Sequence, residues 1–408
     1  MNILFISCAY SDTQKDLFLE NSKRGYQSAA QNFQESLFDG FIKNTKIKLN
    51  VLSIPSLSTY PKGCNIMFIK DSPFLFEGER IGVSYGFLNL PFINHFHQSR
   101  LDKEIDYWYN NNSGAKCIVV YAMLKNQMEY AVLAKSRHPD IKICLIIPDL
   151  PIYMHCNKYY RLLGLQKREI KAIDKLLHSF DCFVVLTEPM LGKLKITGRP
   201  YSVIEGIYRP LYTELTNSFY VPSKTIMYAG GIQTRYGVFD LIEAFHQIQD
   251  DDYKLILCGP CSERAKLQIY LEKDKRIEYL GVISTAEVRK WQRMVALLVN
   301  PRHSTEEFTK YSFPSKTLEY MASGTPVLMS KLPSLPEEYM KYLFLFDDET
   351  VDGMRQTIQR VCSLNGNELK EKGQNAKNFI LKFKNSVVQV NKIIDLIIGE
   401  ISEKSNSN

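Results

Sequence analysis

A chain of 408 residues, 45% apolar and 23% charged, has the composition of a soluble globular protein with room for two or three domains, which excludes low-complexity and disordered classes. No apolar run approaches the ~18–20 residues of a membrane span. Residues 1–7 read as a buried strand and not as a secretion signal, because Asp12 and Lys15 follow too soon, so a cytoplasmic location is expected. The nine cysteines are scattered, mostly in apolar runs such as those around Cys117, Cys144, Cys182 and Cys258, as reduced core thiols would be.

The net charge of +7 is lopsided: residues 1–200 carry 25 Lys and Arg against 18 Asp and Glu, whereas residues 201–408 carry 26 of each. The densest stretch is 158–175, where Lys158, Arg161, Lys167, Arg168, Lys171 and Lys175 face only Glu169 and Asp174. Leucines and isoleucines are interleaved there at helical spacing. Two readings stand: an ordinary surface helix with a basic outer face, or attraction to an anionic membrane surface or lipid phosphate. No nucleic-acid motif accompanies the charge, so no nucleic-acid partner is expected.

Along the chain, short apolar runs alternate with longer amphipathic ones. Strands are expected at 3–7, 47–52, 117–122, 143–147, 182–186 and 201–204, with helices near 26–42, 96–111, 126–137, 160–178 and 188–194. Such alternation predicts an α/β fold with a parallel sheet covered on both faces. The rhythm breaks at 207–223, where Pro210 and Pro222 stand without a clean period, and this segment is the expected linker. A second series follows, with strands at 225–229, 254–258, 277–280, 296–299, 326–329 and 344–346 and helices near 237–249, 262–272, 284–292, 314–323 and 350–363. The expected organisation is therefore two Rossmann-like doubly wound domains, 1–206 and 224–385, facing a cleft. After them come a helix at 386–402 and a polar, disordered tail at 403–408.

The stretch 313–328, FPSKTLEYMASGTPVL, carries the most chemistry. It reads as a short helix, a stop at Gly324 and a buried strand. Pro314 suits a first helical turn, Ser312 is the expected N-cap, and Gly324 sits where a left-handed C-terminal residue belongs. The N–H groups of Ser315 and Lys316 would then form an anion site. Glu319 lies one turn further on the same face, about 5.4 Å along the axis, where it could accept hydrogen bonds from ribose hydroxyls.

Together with its neighbours, this motif resembles the retaining nucleotide-sugar glycosyltransferases of family 4, which have the GT-B architecture. Residues 227–245 (MYAGGIQTRYGVFDLIEAF), 255–259 (LILCG), 277–283 (IEYLGVI), 298–301 (LVNP) and 313–328 follow that family's order and spacing. In the first half, 147–154 (IPDLPIYM) and 184–188 (VVLTE) resemble a subset found in bacterial surface-polysaccharide synthesis. The resemblance implies a nucleotide-sugar donor, most simply a UDP-sugar, no tightly bound cofactor, and a saccharide or lipid-linked acceptor at the inner face of the plasma membrane. It implies donor contacts at Gly230, Gly231, Arg235, Gly281, Val282, Ile283, Ser312, Phe313, Pro314, Ser315, Lys316 and Glu319. It also implies that the last helix returns to the first domain. Asp149, Arg235 and Lys316 are the expected catalytic residues, and Gly25 and Asp149 the expected acceptor side.

The departures are specific. The family's first motif glutamate falls at Tyr311, its glycine-loop Arg and Lys fall at Gly231 and Tyr236, and a first-half His falls at Pro148. Arg235 or Lys316 is expected to supply the charge a leaving diphosphate needs, and Asp149 either orients the acceptor or caps a turn. Gly25 either admits a ligand or makes a turn. The departures also leave open a catalytically weak relative that binds nucleotide sugar as a partner subunit. The pair Cys258 and Cys261 has thioredoxin-type spacing, but Cys258 ends a core strand with no small redox domain around it, so redox chemistry is rejected. The seven histidines, His95 and His97 among them, show no metal-site spacing, and no metal is expected.

Overall fold

The computed structural model describes residues 1–23, 28–90, 98–154, 164–210 and 224–405. Gly25, His95, His97, Lys158 and Arg161, together with 211–223 of the expected linker, lie outside the described residues. The chain divides into two compact units, Met1–Ile207 with Ser386–Asn408, and Tyr208–Asn385.

The first unit is built on an eight-stranded sheet. Its elements are β1 (Asn2–Ser7), α1 (Asp12–Asn21), α2 (Ser28–Lys43), β2 (Lys48–Ser53), β3 (Ser72–Phe76), β4 (Glu79–Ser84), α3 (Gln98–Asn110), β5 (Lys116–Tyr121), α4 (Lys125–Arg137), β6 (Lys142–Ile147), α5 (Pro151–Met154), α6 (Leu165–Leu177), β7 (Cys182–Val185), α7 (Pro189–Lys193) and β8 (Tyr201–Val203). The strand order is β3-β4-β2-β1-β5-β6-β7-β8, parallel except for the β3–β4 pair at one edge. Strands β1, β6 and β7 are buried along their whole length. That explains their unbroken apolar sequences, since helices cover a parallel sheet on both faces. Because β2 and β5 lie on opposite sides of β1, the connections diverge there, and a crevice opens at the carboxyl ends of β1 and β5.

Helix α1 and the β3–β4 hairpin were not anticipated. The hairpin turns at Glu77 and Gly78, which have φ of 50° and 82°. Two consecutive positive φ values match the twist of the flanking strands. Helix α1 follows Ser11, whose N–H donates to Gln14 Oε1 at 3.4 Å, a reciprocal capping arrangement.

The terminal helix, Ser386–Ser405, belongs to the first unit. It runs three residues further than 402, into the stretch expected as tail. Val390, Ile393, Ile394 and Ile397 pack with Leu37, Phe38 and Phe41 of α2 in one core cluster. Asp39 and Ser386 share a hydrogen bond, and Asn44 Nδ2 donates to Asn391 Oδ1 at 2.9 Å. The two helices cross at Gly40, where a Cβ would lie 2.4 Å from both Ser386 O and Val390 Cγ2. The missing side chain is what lets the backbones approach.

The second unit contains β9 (Thr225–Ala229), α8 (Val238–His246), β10 (Lys254–Cys258), α9 (Arg264–Lys273), β11 (Ile277–Tyr279), α10 (Thr285–Arg293), β12 (Leu297–Asn300), α11 (Lys316–Ser323), β13 (Val327–Met329), α12 (Glu337–Met340), β14 (Phe344–Leu345), α13 (Val351–Cys362) and α14 (Gly366–Phe383). Its six strands are parallel, in the order β11-β10-β9-β12-β13-β14. Here β9 is the strand where the winding reverses, so the loops after β9 and β12 flank this unit's crevice. Two core clusters, one containing Phe239, Phe245 and Ile358 and the other Met321, Tyr339 and Phe379, cover the two faces of the sheet.

Substituting Gly40 by Val should lower the stability of the first unit by about 1–3 kcal/mol, the usual range for forcing extra atoms into a packed contact. A urea midpoint unchanged from wild type would show that the crossing is looser than these distances.

Candidate functional site

Helix α11 is tied to the end of β9 by two side chains one turn apart. Lys316 Nζ donates to Ala229 O at 2.6 Å. The buried Tyr320 hydroxyl accepts from Ala229 N at 2.7 Å and donates to Ala229 O at 3.1 Å. Gly230 follows directly, and a Cβ there would meet Lys316 Nζ at 2.5 Å and Tyr228 Oη at 2.6 Å. Glycine is therefore the residue that lets the lysine reach the strand end. Gly230 N donates to Cys258 O and Gly259 N to Gly281 O, each at 2.8 Å, so the loops after β9, β10 and β11 form a bonded row.

Three cations collect beside this row. Arg235 stands exposed on a 3₁₀ turn, its guanidinium 4.6 Å from the Tyr236 ring centroid and its Nη2 2.5 Å from Tyr236 Oη. Arg302, just beyond β12, lies over the same ring at 5.1 Å and over Phe308 at 5.2 Å, and its Nη1 donates to Ser312 Oγ at 3.3 Å. Tyr236 thus lies within cation–π distance of two guanidiniums. Burial pushes the Arg302 guanidinium down from its ordinary value, and the neighbouring Arg235 adds to the effect. Burial likewise depresses the Lys316 ammonium, with Arg302 adding to the fall and Glu319 opposing it. Like charges held together in a desolvated place mark a site suited to an anion. Arg302 was absent from the sequence expectations; its only signal is its place two residues past a strand that borders the switch point.

The helix start differs from expectation. Helix α11 begins at Lys316 with Ser315 as N-cap, so Pro314 precedes the helix and Ser312 does not cap it. The reason is local: Thr317 N bonds Pro314 O and Leu318 N bonds Ser315 O in tight turns, while Ser312 Oγ receives Arg302. Among the described residues, the N–H groups of Ser315 and Lys316 donate to no backbone carbonyl, which leaves this helix terminus open. Phe313 and Pro314 are buried beneath it. Gly324 closes the helix with φ of 83°.

Glu319 lines a hollow of ≈ 20 Å³ together with Arg289 and Arg293 of α10 and Lys377 of α14. At the end of β11, Gly281 has φ of 73°, Val282 is 72% exposed and Ile283 packs on the core. That leaves main chain and one apolar side chain facing solvent at the loop expected to read a base. Gly231 and Tyr236 leave no charge at their own positions, and Tyr311 offers no carboxylate.

Asp149 lies in the first unit, two residues past β6. Atoms packed around the carboxyl desolvate it and raise it to about 6, while the residue as a whole keeps an exposed part. Cys258 and Cys261 are free thiols, and burial pushes the Cys258 thiol up to about 11, the opposite of an activated cysteine. Among the described residues there is no cluster of three or more His, Cys, Asp or Glu able to hold a metal, and no helix is long and apolar enough to cross a membrane.

Residues 223–363 match the family model described as "Glycosyl transferases group 1", so the second unit carries a glycosyltransferase domain. No curated protein matches the chain. Among solved structures, the chain is similar to Alr3699/HepE of Anabaena in complex with UDP, at 12% identity over 98% of this chain and 100% of that one, with a TM-score of 0.63. It is also similar to sucrose-phosphate synthase of Thermosynechococcus elongatus, at 14% identity over 99% and 100% with a TM-score of 0.61. A third is the α,α-trehalose-phosphate synthase of Burkholderia xenovorans in complex with glucose-6-phosphate, at 11% identity over 97% and 99% with a TM-score of 0.60. The fold is GT-B.

Replacing Tyr320 by Phe removes both bonds to Ala229 and leaves a buried N–H unpaired, which should lower stability by about 1–3 kcal/mol and weaken any ligand held at the α11 terminus; urea denaturation and nucleotide titration test the two effects. For Asp149 the sign follows from linkage. The folded chain takes up this proton near pH 6 and the unfolded chain near the ordinary value of 3.8, so this group's contribution to stability grows as pH falls between them. Asp149→Asn should therefore raise the melting temperature slightly at pH 7.5, and the gain should vanish near pH 4. A gain that persists at pH 4 would disprove the raised carboxyl.

Proposed function

We propose that this protein is a retaining glycosyltransferase that moves a hexose from a nucleotide-diphosphate donor, a UDP-sugar, to a saccharide or lipid-linked saccharide acceptor in surface-polysaccharide synthesis. The observation that carries the donor assignment is the cluster of Arg235, Arg302 and Lys316 beside the open N-terminus of α11. A diphosphate is the ligand that two guanidiniums, an ammonium and free amides would hold together. UDP is favoured as the nucleotide because Alr3699/HepE is described with UDP. In this reading Glu319 turns from its cationic neighbours to the ribose hydroxyls, and the main chain of Gly281, Val282 and Ile283 takes the base.

The bond from the sugar anomeric carbon to the diphosphate oxygen breaks and a bond to the acceptor oxygen forms on the same face. The acceptor proton passes to the departing phosphate. Arg235, Arg302 and Lys316 stabilise the charge that grows on the diphosphate, which is where fixed cations in a desolvated site accelerate most. Asp149, with its carboxyl near 6, orients the acceptor hydroxyl and is ionised at neutral pH. Attraction of the basic α6 to the inner membrane surface would bring the chain to a lipid-linked acceptor.

Purified protein with UDP-glucose and related donors should release UDP, and Glu319→Ala should reduce kcat/KM at least tenfold. Tight donor binding without turnover under every acceptor tried would instead favour a nucleotide-sugar-binding partner subunit, a reading kept alive by Tyr311, Gly231 and Tyr236. Arg302→Ala should raise the donor KM about 10–100-fold, as expected for loss of a charge-assisted contact worth ~1.5–3 kcal/mol; a change below twofold would remove Arg302 from the site.

A further inference from the structure

In the second unit, the glycine loop after β9 is fastened to the loop after β10 at every second residue. Gly230 N donates to Cys258 O at 2.8 Å and Ile232 N to Pro260 O at 2.9 Å. Thr234 N makes the next rung, but its acceptor is a side chain, Glu263 Oε1 at 2.8 Å. A spacing of two is that of a strand, so the loop runs on from β9 as an extended ribbon as far as Thr234. There the chain turns, with Tyr236 N bonded to Gln233 O and Gly237 N to Thr234 O, and the turn carries Arg235. Thr234 is thus the last residue of the row before the guanidinium.

Glu263 holds Thr234 with both of its oxygens. Oε2 accepts from Thr234 Oγ1 at 2.7 Å, and that hydroxyl accepts in turn from Lys266 Nζ at 3.0 Å. The bonds from Thr234, hydroxyl first and then amide, hold the Glu263 carboxyl below its ordinary value. Glu263 is also the N-cap of α9, yet its side chain makes no capping bond to that helix. Ser, Thr, Asp and Asn serve such a position best, so a glutamate there spends its length on reaching Thr234. Its charge sharpens the point, because a carboxylate near an anion site weakens that site by Coulomb repulsion. Among the described residues Glu263 has no ion pair with Arg235, whose guanidinium lies over Tyr236, so pairing with the arginine does not account for it.

We propose that Glu263 is a positioning residue for the donor diphosphate: it grips Thr234, fixes the turn beside it and so aims Arg235 at the phosphates. This rests on the donor reading and adds a residue that acts through Arg235 without touching the ligand. Positioning and charge make opposite demands. Removing the carboxylate tightens anion binding if only its charge matters, and loosens it if its grip on Thr234 matters more.

The test titrates UDP into the full chain by calorimetry, with a melting curve to follow the fold of each variant. Glu263→Ala should bind UDP about tenfold more weakly than wild type, the scale of one lost charge-assisted hydrogen bond. Thr234→Val, which removes the hydroxyl, should also weaken binding, and Thr234→Ser, which keeps it, should bind as wild type does. In an Arg235→Ala background, Glu263→Ala should cost less than about twofold more, because residues that act through one another are not additive. If UDP binds wild type and Glu263→Ala binds it as tightly or more tightly, this inference is overturned while the donor reading stands. The same follows if the loss is undiminished in the Arg235→Ala background. Should Glu263→Ala fail to fold, Thr234→Val against Thr234→Ser decides, and equal affinity of those two overturns the inference. If UDP does not bind wild type, the donor reading falls and takes this inference with it.

Discussion

The peptide unit of Ala229 is the point on which the second unit's site depends. Its N–H and carbonyl are both taken by α11, through Tyr320 and Lys316. These bonds fix the start of the helix against the glycine loop that follows β9, and so they set where the free amides of Ser315 and Lys316 lie relative to Arg235 and Arg302. Because Tyr320 is buried, an amide left unpaired there would be expensive, and the arrangement is held without help from a ligand. Cations gathered this closely repel one another, and a stiff frame holds them together.

The two units solve the same geometric problem differently. Each is a mostly parallel sheet whose winding reverses beside one strand, β1 in the first unit and β9 in the second, and each leaves a crevice at that strand's carboxyl end. In the second unit the crevice is lined by guanidiniums stacked on an aromatic ring, with the nearby helix terminus open. In the first it is a cavity of ≈ 520 Å³ bordered by the start of α4, by Lys125 and Arg168, and by Ile54, Leu57 and Phe87. The second unit's crevice suits a compact, highly charged group. A tyrosine stands where the family that the sequence resembles has a lysine, and both Arg235 and Arg302 lie over its ring.

Much of the fold was legible because parallel strands buried on both faces must be apolar throughout. The expected strands at 225–229 and 254–258 coincide with β9 and β10, and most others agree within one or two residues. The misses have causes. The β3–β4 hairpin lies at the sheet edge, half exposed, so its sequence lacks the continuous apolar run, and its Glu-Gly turn carries a weaker signal than Asn-Gly. Helix α1 announces itself only through the Ser11 and Gln14 capping pair. Ser312 was misassigned as an N-cap because its hydroxyl is claimed by Arg302, a residue ten positions away whose approach depends on the loop after β12.

By itself, the sequence determined the α/β class, the two series of strands, the phosphate-ready motif around Lys316 and Glu319, and the absence of the usual charges at Gly231 and Tyr236. Those properties follow from local chemistry: burial demands apolar runs, and a helix terminus demands particular residues at fixed offsets. Only the tertiary structure decided that Arg302 joins Arg235 at Tyr236, that Lys316 reaches back to Ala229, and that Gly40 admits the terminal helix. Each of these depends on groups far apart in the chain meeting within a few ångströms, and no local pattern encodes such a distance.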